Sequence, residues 1–211
     1  LSLRSPMSSR TAFNAKTLAR RYYASEDVYE AETERIFLEH WLFAGRVSDL
    51  TEPGSYFLFE VETESVIVLR DYEGEIWAHH NVCRHRGTRL VSEPGGTLAK
   101  SIQCMYHAWT YSLDGTLSGA PFMDEVEGFC KENYPLKSVS LALWEGCIFV
   151  NLANEPEPFE EAYAPLIDKF ASWGLDELER AHRIVYDIPA NWKLVFQNYS
   201  ECYHCPGLHP V

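Results

Sequence analysis

Four residues in two short runs have the types and spacing to bind metal. Cys83 and His85 lie in CRHRG (83–87), and Cys104 and His107 lie in CMYHAW (104–109). Cys-x-His followed by Cys-x2-His offers two thiolates and two imidazoles, and two chemistries accept such a set. In one kind of [2Fe-2S] cluster the thiolates hold one iron and the imidazoles the other. Neutral imidazole in place of thiolate removes negative charge and raises the reduction potential. A zinc ion also accepts two Cys and two His. Zinc motifs usually keep Cys near Cys and His near His, whereas each run here carries one of each. An electron-carrying cluster is therefore the leading reading, with a zinc-stabilised binding domain as its rival.

A second constellation stands near the other end, in NWKLVFQNYSECYHCPGLHP (191–210), where Glu201, His204 and His209 are spaced Glu-x2-His-x4-His. A helix capped by Asn191 would put positions 201 and 204 on one face. Pro206 and Gly207 then break the helix, so His209 can fold back toward His204. Two such histidines can take two corners of a 2-His-1-carboxylate triad on a non-haem Fe(II), which leaves positions open for oxygen chemistry.

The elements that must position these residues follow from periodicity. Residues 26–42 carry a helical pattern with an acidic first turn. From Phe43 to about Leu152 short strand patterns recur as YFLFEV, SVIVLR, EIWAHH, SIQC, WTYSL and CIFVNL. They are divided by turns at Pro53-Gly54, Glu73-Gly74, Pro94-Gly95-Gly96 and Asp114-Gly115. A small antiparallel β domain is expected, with each Cys/His run at the end of a strand. Residues 154–158, with two prolines and two acids, read as a linker. An amphipathic helix is expected over 159–173 and a strand over 181–188.

At this point the chain resembles the Rieske non-haem iron oxygenases, the ring-hydroxylating family, and looks like the N-terminal part of an alpha subunit. The resemblance runs from about Glu34 to the last residue. CRHRG and CMYHAW are similar to the oxygenase branch of the Rieske proteins. The respiratory branch has an extra cysteine in each loop, where this chain has Thr88 and Tyr106. Trp109 also fits the oxygenase pattern. The implied fold is α+β: an antiparallel β Rieske [2Fe-2S] domain over 43–153, after an N-terminal arm and helix over 1–42. Residues 154–211 would be a linker and the truncated start of a helix-grip (START-like) catalytic domain.

The resemblance implies that Cys83, His85, Cys104 and His107 hold the [2Fe-2S] cluster and that His204 and His209 bind a mononuclear Fe(II). The third iron ligand, an acidic residue in the family, is expected beyond Val211. Glu201 falls where the family has a carboxylate bridging the iron ligand His204 and a cluster histidine, His107, of a neighbouring subunit. Many relatives have Asp there; Glu is similar to the subset acting on betaine- and carnitine-like quaternary amines. The implied activity is mono- or dioxygenation of an aromatic ring or a quaternary amine. Electrons would come from NAD(P)H through a separate flavin reductase or ferredoxin, in a homotrimer, with a small β subunit left open. A Rieske ferredoxin-like carrier without oxygenase activity is the alternative, although it would end near residue 150.

Composition sets the limits. The net charge is −13, from 18 Lys plus Arg against 31 Asp plus Glu, which disfavours nucleic acid and anionic membrane as partners. No apolar run approaches the roughly 20 residues needed to cross a bilayer. The N-terminal stretch LSLRSPMSSRTAFNAK lacks a continuous apolar segment and reads as a flexible arm, not a secretory signal. Six cysteines in 211 residues do not make a disulfide scaffold, and reduced thiols suit a cytoplasmic location. Cys202 and Cys205 interleave the second motif, and Cys147 reads as a small buried hydrophobe. Arg84 and Arg86 flank His85, where they would tune the cluster, meet an electron donor or simply be solvated. A chain that starts without Met and stops two residues after His209 is expected to be an inactive fragment that keeps its cluster.

Overall fold

A computed structural model describes residues 16–201. They fall into two units, one formed by residues 32–184 and the other by the flanking segments. The larger unit holds ten strands: β1 (Leu42–Arg46), β2 (Ser55–Val61), β3 (Glu64–Arg70), β4 (Ile76–His80), β5 (Gly95–Thr97), β6 (Ser101–Gln103), β7 (Thr110–Ser112), β8 (Leu117–Gly119), β9 (Ser140–Trp144) and β10 (Cys147–Asn151). They form three antiparallel sheets in the orders β4-β3-β2-β5, β1-β10-β9 and β6-β7-β8.

Strand β3 is the spine. Successive strand residues point to opposite faces, so Ile67 and Leu69 enter one core with Ile102, Trp109 and Tyr111. Val66 and Val68 enter a second with Ile148 and Val150. All four β3 residues have 0% exposure. A strand covered on both faces reads as a continuous apolar run, which SVIVLR does. Burying each side chain contributes about 1.5–3 kcal/mol.

Several elements differ from expectation. Gly95 and Gly96, read as a turn, belong to β5 and pair with Phe57 and Tyr56 of β2. A Cβ on Gly95 would meet the Tyr56 carbonyl oxygen at 3.1 Å, a tight contact that glycine avoids where this strand lies against β2. The expected helix over 159–173 is only one turn, α3 (Phe159–Ala162), followed by turns and a 3-10 turn at Ala171–Trp173. Pro165, lacking an N–H, cannot continue the ladder. Residues 154–158 are more than a spacer: the Trp41 indole N–H donates to the Glu157 carbonyl at 2.8 Å, and Phe159 is buried against Trp41 and Phe149. The strand expected over 181–188 is absent; the stretch is exposed and pairs with no described strand. Over 26–42 the helix α2 (Glu26–Glu32) follows the short α1 (Arg21–Ala24) and widens into a π turn at Thr33–Phe37.

One buried group gives the β domain a pH dependence. His79 is 1% exposed; its Nε2–H donates to the Leu113 carbonyl at 3.0 Å, while Nδ1 has no partner. Gly115 (φ +90°) lies against the ring, where a Cβ would come within 2.7 Å. Burial pushes the His79 pKa below 6.5, only partly offset by the Leu113 carbonyl and the Asp114 charge. As pH falls below about 6.5 the unfolded chain takes up a proton that the folded chain refuses. Stability should therefore be full above that pH and fall beneath it, by up to about 1.4 kcal/mol per unit from this residue. Urea unfolding between pH 7 and 5 should show a shallower slope for His79→Gln; an unchanged slope would assign the effect elsewhere.

In the smaller unit, α4 (Trp192–Ser200) begins as expected, with the Asn191 side chain accepting from the Lys193 N–H at 3.1 Å. The Tyr23 hydroxyl and the Gln197 amide hydrogen-bond at 3.3–3.5 Å, and Lys193 Nζ lies 5.8 Å from the Tyr23 ring centroid. No helix among the described residues is long and apolar enough to cross a membrane.

Candidate metal centre

The two Cys/His runs are loops of the same design. In the first, the Cys83 N–H donates to the Thr88 carbonyl at 2.8 Å and the Gly87 N–H returns to the Cys83 carbonyl at 3.0 Å. In the second, Cys104 donates to Trp109 at 2.8 Å and Ala108 returns to Cys104 at 3.0 Å. The fourth residue after each cysteine has a left-handed backbone, Gly87 at φ +72° and Ala108 at φ +56°. Glycine takes that conformation freely, while alanine does so at a cost of about 1–2 kcal/mol. The loops thus match in backbone although the histidine is one residue later in the second.

Each loop is held by the sheets behind it. β4 leads into the first through Asn81, which is 1% exposed. Its carboxamide accepts from the Leu90 and Val91 N–H groups at 3.0 and 2.9 Å and donates to the Val91 carbonyl at 2.7 Å and Ser65 Oγ at 3.2 Å. Such a saturated buried amide fixes where the loop leaves and returns. The second loop joins β6 to β7, so the β-hairpin geometry positions Cys104 and Trp109 directly.

Together the loops put sulfur inside and imidazole outside. Cys83 and Cys104 are 2% and 3% exposed, whereas His85 and His107 lie at the surface with ring centroids 4.7 Å apart. Trp109, itself buried against Phe129 and Tyr134, stacks on the His85 ring at 4.9 Å and 10°, fixing its plane. Burial, together with the nearby charges of His107 and Arg86, lowers the His85 pKa and favours the neutral, metal-binding imidazole.

Burial also raises the Cys83 pKa; a hydrogen bond with Tyr111 opposes the rise and the adjacent Cys104 thiol adds to it. Two neighbouring buried thiolates would repel each other unless a cation lay between them, so metal loading must expel their protons. Tetrahedral zinc needs four ligands around a single centre, whereas a two-iron cluster needs a pair of thiolates and a separate pair of imidazoles. The donor set and its layering fit the cluster.

Tyr111, fully buried, was not singled out by the sequence, where it is only an apolar-facing strand residue. Its hydroxyl accepts from the Arg84 N–H at 3.0 Å and lies 3.3 Å from Cys83 Sγ, so toward a thiolate at that position the hydroxyl is the donor. A donor to ligand sulfur stabilises the more electron-rich reduced state. A net hydrogen bond of about 0.5–1.5 kcal/mol corresponds to roughly 20–65 mV for one electron. Tyr111→Phe should lower the midpoint potential by that amount with the cluster retained, as read by spectroelectrochemistry; no shift would mean the hydroxyl leaves the sulfur when the cluster binds.

The other expected metal residues stand differently. Glu201 lies outside α4, with an extended backbone (φ −122°, ψ 145°) just after the last helical residue. The shared helical face expected for positions 201 and 204 therefore does not extend to Glu201. His204, His209, Cys202 and Cys205 lie outside the described residues.

Comparison with known proteins agrees with this geometry. Residues 40–135 match the Rieske [2Fe-2S] domain, and residues 175–211 match the ring hydroxylating alpha subunit (catalytic domain). The glycine betaine monooxygenase oxygenase subunit of Chromohalobacter salexigens is 39% identical over 92% of this chain and 43% of that protein. The carnitine monooxygenase oxygenase subunit of Acinetobacter baumannii is 36% identical over 93% of this chain and 53% of that protein. Among solved structures, the quaternary ammonium Rieske monooxygenase CntA bound to gamma-butyrobetaine superposes with a TM-score of 0.84 at 35% identity, covering 90% of this chain and 55% of that one. Naphthalene 1,2-dioxygenase from Rhodococcus sp. gives 0.72 at 31% identity, over 85% of this chain and 42% of that one. The chain spans about half the length of these relatives. It belongs to the Rieske non-haem iron oxygenase alpha subunits and corresponds to the N-terminal portion of those relatives.

Proposed function

We propose that this chain is the electron-receiving part of a terminal oxygenase that hydroxylates a quaternary amine of betaine or carnitine type. The observation that carries the proposal is the pair of matched loops, with thiols buried and imidazoles at the surface, in a chain that goes on to Glu201-x2-His204-x4-His209. Cys83 and Cys104 would hold the inner iron, and His85 and His107 the outer one. His204 and His209 would bind the mononuclear iron with a carboxylate from outside this sequence. The proposed division is an arm and helix over 1–42, the Rieske domain over 43–153, and a linker with the beginning of the catalytic domain over 154–211.

When bound, the cluster supplies single electrons at a potential above that of an all-cysteine centre, and the mononuclear iron supplies oxygen activation. The chain's own residues set the conditions. Trp109 holds the His85 ring flat, Tyr111 directs its proton to Cys83, and the core behind them keeps water from the thiolates. Glu201 would accept imidazole N–H bonds from His204 and from His107 of a neighbouring subunit, orienting both rings. Inter-subunit electron transfer is described for a quaternary ammonium Rieske monooxygenase 34% identical to this chain. A homotrimer, with NAD(P)H-linked flavin reductase or ferredoxin as donor, follows from that reading. The four cysteines with described side chains are all free, in keeping with a reducing, cytoplasmic setting.

Quaternary amines are preferred over aromatic rings because Glu201 would stand at the bridge position and the betaine and carnitine enzymes are 34–39% identical to this chain. The test is substrate-dependent oxygen uptake by the full-length parent with reductase and NADH. Uptake with carnitine, glycine betaine or gamma-butyrobetaine, and none with naphthalene, is expected. The reverse pattern would move the protein to the ring hydroxylases.

A further inference from the structure

Beside the first cluster loop lies a concavity of about 590 Å³ that the electron-transfer chemistry does not use. Its wall brings together Arg84, Lys137, His80 and Glu64 with the apolar side chains of Leu38 and Leu152. Glu64 is committed to His80, with Nδ1 and Oε2 3.5 Å apart. Neither Arg84 nor Lys137 has an ion-pair partner among the described residues. On a chain of net charge −13, two unpaired cations in one hollow stand against the general field.

We propose that this hollow binds a small organic carboxylate. A carboxylate matches a guanidinium in two parallel hydrogen bonds, which the terminal nitrogens of Arg84 would donate. Lys137, more exposed, adds a point charge to the same wall. Leu38 and Leu152 offer apolar surface to a short aliphatic tail, which inorganic anions lack. The volume falls within the roughly 300–1,000 Å³ of small-molecule pockets. Because Cys83 also contributes to the wall, a bound negative charge would lie close to the cluster and lower its potential, making the site a sensor of carboxylate supply. Binding itself does not depend on the oxygenase assignment, since it draws on residues of the β domain alone.

Isothermal titration of the cluster-loaded chain with sodium butyrate tests the proposal, with sodium chloride and inorganic phosphate at matched ionic strength as references. Saturable binding of butyrate, without saturable binding of the other two, is expected. Lys137→Gln should weaken it about tenfold, and Arg84→Lys, which keeps charge but not the planar fork, should weaken it similarly. Saturation with butyrate should also lower the midpoint potential in spectroelectrochemistry. If Arg84→Lys loses the cluster's visible spectrum, Lys137→Gln, whose side chain is remote from the ligands in sequence and solvent-exposed, decides alone. Binding equal for butyrate and phosphate, binding unchanged in Lys137→Gln, or no binding at all would overturn the site.

Discussion

Replacing His107 by alanine should abolish the visible absorption and the reduced-state paramagnetic signal of the purified chain while leaving its fold intact. His107 is at the surface and is not among the side chains that form the two cores. Far-ultraviolet circular dichroism and the urea midpoint should therefore stay near the parent values. The outer iron, however, would have one protein ligand in place of two, and a half-held iron is lost. His85→Ala should do the same with an added penalty, because the Trp109 face it covers would become exposed. His107→Cys sharpens the test. A thiolate there adds negative charge, and if the cluster assembles its potential should drop toward the all-cysteine range, a fall of a few hundred millivolts. Retention of colour and potential in both His107 variants would refute its role as a ligand.

In the full-length parent, Glu201→Gln should slow substrate-coupled turnover by about 10- to 100-fold without altering the cluster's spectrum or its reduction by the donor. That range is typical when a group orienting metal-bound imidazoles is lost. A carboxylate accepts from two ring N–H groups at once, whereas an amide accepts through one oxygen and presents N–H donors at its other end. One of the two imidazoles would then face a donor. Rapid reduction of the cluster followed by slow re-oxidation in the presence of substrate is the expected kinetic pattern. Full turnover in Glu201→Gln would remove the residue from the electron path, and a bleached cluster would mark the effect as structural.

The proposed ligand set was legible in the sequence because metal chemistry restricts both residue type and spacing. Cys83, His85, Cys104 and His107 could be chosen from two short runs without knowledge of the strands between them. The long strands were legible for a different reason: SVIVLR and CIFVNL are apolar on consecutive positions, which only a doubly covered strand tolerates. What stayed hidden depended on partners distant in sequence. β5 is three residues long, two of them glycine, and its identity comes from Tyr56 and Phe57 across the ladder. Tyr111 looks like any aromatic on a strand until its hydroxyl is seen beside Cys83. Asn81 looks like a turn residue, yet it is the buried clasp of the first loop. The expected helix over 159–173 failed on Pro165, a signal that was present in the sequence and outweighed by apolar periodicity. For Glu201 the periodicity ran past the true end of α4.

The most direct test of the central claim is metal and acid-labile sulfide analysis of the chain as purified without oxygen, joined to electron paramagnetic resonance after dithionite reduction. The account predicts iron and sulfide in equal amounts, matching one [2Fe-2S] unit per chain, with a paramagnetic signal that appears only on reduction. Zinc without sulfide, and a chain that stays colourless after reconstitution with iron and sulfide, would contradict it.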